Sequence, residues 1–450
     1  MTGPIIALLI YGAAGLVAAG AIAMRLGRFL NFRTLLISNY VLVGNISGAI
    51  HLSSIEQGYR GFYDVLSGGN DVLTVSTVGT ILGLVAICLG SLWRLPKRGE
   101  QNSTEPRLSS REWSLLSIAV PLIFLLALPA LIRMRAIADA SAATRILSVD
   151  QGEARYVFMS HWFVWAICLG AVLVINSRFC RPPLFVATVT IIALAISALS
   201  MSWSGGRSIV IVMCLPLLIL VSPRLRGVRW VSALILISAA VVYLSQLTVE
   251  RTAGVRITSS AWSWADWEWG RYSMLGFAQD FVGTNGYLYG ETFAAAGANI
   301  LLGLMRLIGI YIPNPEWRSM PDITGAAILG NGDTYVVAGL NAELYVNFGY
   351  AGILLGMLIL GMLAAWVDNR FVASPSQISK FAWAYVGTLL VFRTLAADAN
   401  AVGSYLLYSG LPVVLLGVLA ATIRTRGTRV TAASEATAVG PRRYLSRFGR

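Results

Sequence analysis

Arginines, aromatic residues and carboxylates gather in one part of the chain, residues 250–336, and in the residues directly after it. This stretch begins with Arg251 and contains a tryptophan-rich run at 262–269. An arginine guanidinium donates two parallel hydrogen bonds to a phosphate group, and tryptophan and tyrosine combine a large apolar face with a polar edge. These residue types therefore indicate a site for an anionic, sugar-bearing lipid.

Three arginines of this stretch are candidates for binding such a substrate, namely Arg251, Arg271 and Arg318. Arg251 directly follows an apolar run, and Arg318 lies in a turn that is constrained by Pro313 and Pro321. Each of the three can equally be a solvated residue or one that faces lipid headgroups.

Two further arginines are candidates for catalysis. Arg207 lies in a Gly-Gly-Arg turn before a short apolar run, 208–222. A run of about 15 residues covers only about 22 Å, so the turn should lie below the membrane surface. Arginines at such depth are costly and usually functional, although Arg207 can also snorkel to the headgroups. Arg393 lies near the outer end of a later run, where the alternative is a local ion pair with Asp398.

Polar residues at the start of the following apolar run complete the candidate set. Glu343 and Asn347 are four residues apart and share a helix face, with Tyr345 between them. We list Glu343 as catalytic and the other two as substrate-binding; a capping or ion-pair role is the alternative. His161 is a further candidate for substrate binding or for a general base, unless it is a buried structural histidine. No metal-binding or nucleotide-binding motif is visible, so neither a metal nor a cofactor is expected.

The elements that position these residues are membrane helices. The chain is 56% hydrophobic and only 12% charged, whereas soluble proteins are about 25% charged. Apolar runs of about 20 residues, enough to cross a bilayer, recur without the alternation of a barrel. We predict an all-α polytopic membrane protein with about eleven spans (10–12), at 4–24, 34–52, 72–93, 113–132, 156–175, 184–201, 208–222, 230–249, 337–366, 381–397 and 403–423.

This prediction divides the chain into four parts. Residues 1–249 carry spans one to eight, and 250–336 form one large extracytoplasmic loop that contains short interfacial helices. Residues 337–423 carry spans nine to eleven, of which the ninth is overlong and begins as a helix in the outer region. Residues 424–450 form a basic cytoplasmic tail that is predicted to be disordered. The apolar segment 292–311 is interpreted as re-entrant or interfacial, because a span there would place the basic tail outside.

The charge distribution predicts the orientation. Most of the 34 basic residues and few of the 21 acidic ones fall in loops on one side, and Lys/Arg-rich loops stay in the cytoplasm. We therefore expect a multi-pass membrane protein with the N-terminus outside and the C-terminus in the cytoplasm. The net charge of +13 follows from this topology and from contact with the lipid bilayer, so no nucleic acid is expected as a partner.

With these features the chain resembles the bacterial O-antigen and exopolysaccharide repeat-unit polymerases and, more distantly, the O-antigen ligases. The resemblance rests on four features: Ser204-Gly-Gly-Arg-Ser208; Tyr289-Gly-Glu-Thr-Phe293 followed by Ile312-Pro and Trp317-Arg318; Glu343-Leu-Tyr-Val-Asn-Phe-Gly-Tyr-Ala-Gly352; and Arg393. The chain departs from the family at two positions. Thr394 follows Arg393 where the family tends to have glycine, and Arg318-Ser319 stands where the family often has Lys-Pro.

The resemblance implies a metal-independent membrane glycosyltransferase that acts on polyprenyl-diphosphate-linked oligosaccharides. A glycan on undecaprenyl diphosphate would be transferred to a sugar hydroxyl of a new lipid-linked repeat unit on the outer face of the inner membrane. A chain-length regulator and a flippase of the same pathway would be possible partners. Alternatives are ligase-type transfer to another acceptor, a flippase or transporter of lipid-linked glycans, and a non-catalytic partner in envelope assembly.

Overall fold

The computed structural model describes residues 2–55, 69–95, 108–138, 162, 165–173, 215–220, 270–307, 310, 318–329 and 337–424. All regular secondary structure within these ranges is helical. The predicted spans at 184–201 and 230–249 and the tail from residue 425 onward lie outside them, so the predicted number of eleven spans stays a prediction.

The described part of the chain contains ten main helices, given next in chain order, and two short helical fragments at 165–173 and 215–220. They are α1 (Thr2–Leu26), α2 (Phe32–Tyr40, continued by the π-helical Val41–Ile46 and by Ser47–Ile55), α3 (Asn70–Ser91), α4 (Ser110–Ala138), α5 (Tyr272–Asn285), α6 (Glu291–Leu307), α7 (Met320–Leu329), α8 (Leu340–Ala373), α9 (Gln377–Thr388, continued by the π-helical Leu389–Arg393 and by Thr394–Ala396) and α10 (Ala399–Ser404, continued by the π-helical Tyr405–Gly410 and on to Arg424).

Six of the described helices are long and apolar enough to cross a membrane, namely α1, α2, α3, α4, α8 and α10. The chain is therefore an all-α, multi-pass membrane protein. The longest, α8, has 34 residues, which correspond to about 51 Å and exceed the roughly 30 Å of a bilayer core. Gly349, with φ 63° and ψ −150°, breaks α8 and separates a first segment, 340–348, from the rest.

α3 and α8 cross where both helices carry a glycine. A Cβ atom added to Gly361 of α8 would lie 2.6 Å from the carbonyl oxygen of Ile87 in α3, and one added to Gly90 would collide with the backbone at Leu358. Lipid chains are as apolar as leucine, so membrane helices associate mainly through close packing, which small residues permit. The two backbones are in direct contact at this crossing, which forms the centre of the bundle.

Arg33 caps the C-terminal end of α3 from inside the bundle. Its fully buried guanidinium donates hydrogen bonds to the carbonyl oxygens of Ser91 (2.6 Å) and Trp93 (2.9 Å). Its Nε lies 3.6 Å from the Asp368 carboxylate of α8. The last carbonyls of a helix have no partner within the helix, and a nearby cation stabilises them. The predicted second span began at residue 34, but α2 begins at Phe32 and therefore carries Arg33 into the core.

α5 also lies in the core, although its residues belong to the predicted extracytoplasmic loop. Met274, Leu275 and Phe277 are buried in the main hydrophobic cluster, together with residues of α3 and α8. The Tyr272 hydroxyl lies 2.8 Å from Thr77 Oγ1 of α3. At 14 residues, α5 is shorter than a span, and it packs against α3 and α8 in the core of the bundle.

π-helical segments interrupt α2, α9 and α10. In each segment, one main-chain carbonyl accepts a hydrogen bond from a distant part of the chain. The Val43 carbonyl accepts from the Arg271 amide (3.3 Å), and the Val391 carbonyl accepts from Asn39 Nδ2 (2.8 Å). The corresponding carbonyl in α10 accepts an indole N–H. Because an unpaired backbone group costs several kcal/mol in lipid, these bonds compensate for the irregular segments.

α6 runs alongside the first turns of α10. Its 17 residues correspond to about 25 Å, and it is not among the helices long enough to cross the membrane. The Ile300 carbonyl accepts a hydrogen bond from the Tyr408 hydroxyl (3.0 Å), and the Ile300 side chain packs on Gly403. α6 packs against α10, and the interpretation of 292–311 as re-entrant or interfacial stays a prediction.

The glycine crossing predicts opposite effects for the same substitution at two positions. Gly361→Ala should lower the melting temperature in detergent, because overpacking costs about 1–3 kcal/mol. The control Gly20→Ala places a Cβ in open space and should leave the temperature unchanged or raise it, since alanine is favoured in helices by about 1 kcal/mol. Equal melting temperatures for the two variants would contradict a tight crossing.

Candidate functional site

The turn between α9 and α10, residues 393–399, contains Arg393 and contacts Arg271 and Glu343, and we call it the junction. α9 ends at Ala396, and Ala397 is extended (φ −118°, ψ 175°). Asp398 then caps α10 by accepting a hydrogen bond from the Ala401 amide (3.0 Å), as short polar side chains do at helix N-termini. The junction is thus a sharp turn whose backbone groups have partners.

Arg393 begins the junction and contacts α10. Its Nη2 donates to the Tyr405 hydroxyl at 3.0 Å, and its Cζ lies 4.2 Å from the centroid of the same ring. The Nε–H of Arg393 is buried and has no hydrogen-bond partner within the described ranges. No ion pair joins it to Asp398 there, because the extended Ala397 breaks the helical spacing. Arg393 therefore retains an unpaired donor.

Arg271 joins three parts of the bundle. Its amide donates to Val43 of α2 (3.3 Å), and its Nη2 donates to the Ala396 carbonyl in the junction (3.4 Å). Its aliphatic stem packs on Gly339, where a Cβ would lie 3.0 Å from Arg271 Cγ. The glycine at 339 has a φ of 80°, so both backbone conformation and space favour glycine there. Arg271 and Arg393 thus contact the same short turn from different elements.

Glu343 and Asn347 form a buried hydrogen-bond network that ties α6 and α10 to α8. Glu343 Oε1 accepts from Thr292 Oγ1 (2.9 Å), and Oε2 accepts from the Ala399 amide (2.7 Å). Asn347 Nδ2 donates to Thr292 Oγ1 (2.8 Å) and to the Glu343 carbonyl (2.8 Å). Asn347 Oδ1 accepts from the Gly290 amide at 2.8 Å.

This network uses both carboxylate oxygens of Glu343. The side chains of Glu343, Asn347 and Thr292 are almost completely buried, and charged hydrogen bonds in such surroundings are strong because the local dielectric is low. The prediction that Glu343 and Asn347 share a helix face agrees with their bond across one turn. The geometry matches the capping alternative, in which Glu343 positions the junction.

Four tyrosines lie around the break in α8. The ring centroids of Tyr345 and Tyr350 are 5.4 Å apart, and those of Tyr345 and Tyr287 are 6.4 Å apart. Tyr289 follows Tyr287 at 6.3 Å and is 79% exposed. Tyr345, the only one of the four identified from sequence, is the most buried of them. We call these residues the tyrosine cluster.

The break in α8 explains how this cluster is held. The Leu288 and Tyr289 amides donate to the carbonyls of Val346 (3.1 Å) and Asn347 (3.2 Å), just before the break at Gly349. Tyr289 has a φ of 46°, a conformation that non-glycine residues seldom adopt and that often marks functional sites. The sequence signal that was missed is the pair of tyrosines between two glycines, at 286–290.

The other predicted residues do not join this arrangement. Arg318 is exposed just before α7 and makes no side-chain hydrogen bond or ion pair with the other described candidates. Arg207, Arg251 and His161 lie outside the described residues. The structure thus brings together Arg271, Arg393 and Glu343 at the junction, with Asn347 in the network of Glu343 and Tyr345 in the tyrosine cluster.

Comparisons with known proteins add no relative to this description. No protein-family model, no curated protein and no solved structure matches the chain. Among the described residues, no group of three or more His, Cys, Asp or Glu side chains is arranged to hold a metal ion. The family resemblance therefore rests on the motifs of the chain itself.

The Thr292 hydroxyl is the centre of the buried network, and its removal tests the network. Thr292→Val keeps the shape but leaves a carboxylate oxygen and an amide N–H without partners, so unfolding should become easier by about 1–3 kcal/mol. As a control, Thr74→Val removes an exposed hydroxyl bonded only within its own helix, and its effect should stay within about 0.5 kcal/mol. Unfolding titrations in mixed micelles measure both, and equal costs would contradict the network.

Proposed function

We propose that this protein is a membrane glycosyltransferase that polymerises lipid-linked oligosaccharide repeat units. A glycan on undecaprenyl diphosphate is transferred to a sugar hydroxyl of a second lipid-linked unit, at the outer face of the bacterial inner membrane. The observation that carries the proposal is the buried Nε–H of Arg393, which lacks a partner among the described residues at a junction that a second arginine also contacts.

The chemistry requires positive charge where the diphosphate leaves. The bond between the sugar C1 and the acceptor oxygen forms while the bond between C1 and the diphosphate oxygen breaks, so negative charge develops on the leaving group. Prearranged donors at that point lower the barrier, and guanidinium groups suit phosphate oxygens. Arg393 is the main candidate for this role, with Arg271 on the other side of the junction. The glycosyl diphosphate already stores the energy, so no nucleotide is needed.

The tyrosine cluster supplies surfaces for sugar rings. Tyr287 is 40% and Tyr289 is 79% exposed, and an aromatic face can pack against the apolar face of a sugar. The cluster is connected to the junction through hydrogen bonds, because the Tyr289 amide bonds to Asn347, which belongs to the same network as Glu343. A lipid-linked glycan would therefore have its diphosphate at the junction and its sugars towards the tyrosines.

Glu343 is assigned to positioning in this proposal. The acceptor hydroxyl loses its proton to a base, and both oxygens of the buried Glu343 carboxylate already accept hydrogen bonds that hold Thr292 and Ala399. Its removal should therefore displace the junction. His161, which lies outside the described residues, is the remaining candidate for the base that the sequence offers.

Two related functions share this site chemistry. A ligase-type enzyme would use the same leaving group and a different acceptor, and a flippase would bind the same lipid without forming a bond. An assay for new glycosidic bonds between identical repeat units distinguishes the polymerase from both.

Purified full-length protein in detergent should lengthen an undecaprenyl-diphosphate-linked repeat unit in the presence of EDTA, without ATP or nucleotide-sugar. Arg393→Ala should lower the rate by about 100-fold or more, as expected for loss of an electrostatic contact in the transition state. Arg393→Lys should restore little, because a point charge does not reproduce the planar fork. Gel analysis of glycan length gives the rate.

The matched control is Arg111→Ala, an exposed arginine at the start of α4, and its rate should equal that of the unmodified protein. Folding of every variant is checked by size-exclusion chromatography. A folded protein that forms no product from its confirmed repeat unit would refute polymerisation. Full activity of Arg393→Lys would refute the hydrogen-bonding role of Arg393.

A further inference from the structure

The end of the bundle opposite the junction contains a cluster of arginines built on one turn of α8. Asp368 accepts hydrogen bonds from Arg28 at 3.1 and 3.3 Å and pairs with the buried Arg33. The next residue, Asn369, accepts from Arg33 through Oδ1 (2.9 Å) and donates through Nδ2 to the Arg94 carbonyl (3.4 Å). These bonds connect the ends of α1, α3 and α8.

Arg94 is held in an unusual conformation by these contacts. Its φ is 46°, in the left-handed region that glycine or asparagine normally occupies after a helix. Its carbonyl also accepts from Arg33 (3.4 Å). Its guanidinium lies 4.6 Å from the centroid of the Trp93 ring, and the residue is exposed. Strained residues persist where the surroundings fix them, and they cluster at functional sites.

Arg370 presents a second exposed guanidinium in the same region. It directly follows Asn369, and its Cζ lies 5.6 Å from the centroid of the Trp366 ring. Trp366 in turn packs edge-to-face on Trp383 of α9, at 5.1 Å. Stacking of a cation on an aromatic ring orients it, so Arg94 and Arg370 are both fixed above rings at one end of the bundle.

The charges in this cluster are not balanced. Of the four arginines in this region, Arg28 and Arg33 pair with the Asp368 carboxylate, whereas the guanidinium groups of Arg94 and Arg370 lie over tryptophan rings. Within the described ranges, neither Arg94 nor Arg370 forms an ion pair. The cluster thus leaves two oriented guanidinium groups that lack an anionic partner.

Exposed apolar side chains accompany these two arginines. Leu92, two residues before Arg94, is 50% exposed, and Trp366, over which the Arg370 guanidinium lies, is 37% exposed. Such apolar side chains can contact the acyl chains of a lipid, whereas a free phosphate ion would make no favourable contact with them. Basic pockets between membrane helices are known to hold anionic lipid headgroups.

From these observations we propose that Arg94 and Arg370 form a specific binding site for the phosphate headgroup of an anionic phospholipid. One guanidinium or both donate hydrogen bonds to the phosphate oxygens, while the acyl chains lie along Leu92 and Trp366. Bound lipid would join the ends of α3 and α8. The site is independent of the glycosyl-transfer proposal, because it lies at the opposite end of α8.

The test measures lipid binding to purified full-length protein by native mass spectrometry with phosphatidylglycerol, cardiolipin, phosphatidylcholine and inorganic phosphate as separate probes. The two anionic lipids should bind, and phosphatidylcholine and inorganic phosphate should bind at least about tenfold more weakly. The double variant Arg94→Gln/Arg370→Gln should lose tenfold or more of the anionic-lipid affinity, in line with the contribution of each cation near an anionic headgroup. Glutamine removes the charge but retains the Cβ, Cγ and Cδ atoms of arginine, including the Cβ at the left-handed position.

The matched control is Arg25→Gln, an exposed arginine in the last turn of α1 that makes no contact with the cluster. It should retain anionic-lipid affinity within about twofold. An equal loss in Arg25→Gln would overturn the proposal, since attraction would then be spread over the whole basic end. Equal binding of phosphatidylcholine, or of inorganic phosphate, would overturn it as well.

Discussion

In a bilayer every main-chain N–H and C=O needs a partner inside the protein, and much of this structure follows from that constraint. The bundle contains helix ends, a broken helix and π-helical segments at membrane depth. Polar side chains from other elements bond the backbone groups that these features release: Arg33 bonds the end of α3, Glu343 bonds the start of α10, and Asn39 bonds the π-helical part of α9. Polar side chains in apolar surroundings therefore connect the helices of the fold to one another.

The same kind of polar contact positions the two proposed sites at opposite ends of α8. At one end, the network of Glu343 and Asn347 fixes the junction and leaves Arg393 with an unpaired buried donor. At the other end, Arg33 and Asn369 bond the Arg94 carbonyl, and the Arg94 guanidinium has no anionic partner within the described ranges. In both cases buried polar side chains hold the backbone next to an arginine whose own bonding is incomplete among the described residues, which is the arrangement expected of a preorganised anion site.

The sequence predicted what depends on local properties and missed what depends on distant contacts. Apolar runs of bilayer length identify the long helices, and four-residue spacing relates Glu343 to Asn347. The helix α5 lies in the stretch that was predicted as a loop, and its packing against α3 and α8 depends on residues far away in the chain. The partner of Glu343, Thr292, is 51 positions away, and the broken spacing after Arg393 arises from one extended residue. No periodicity reveals such contacts.

The central claim is that the junction recognises a lipid diphosphate through Arg393. Direct binding of undecaprenyl diphosphate and of undecaprenol to the detergent-purified protein tests it without any sugar. The account predicts that the diphosphate binds at least about tenfold more tightly than the alcohol, as charge-assisted hydrogen bonds imply, and that Arg393→Gln removes this preference in a folded protein. Equal binding of the two lipids, or an unchanged preference in Arg393→Gln, would contradict the account.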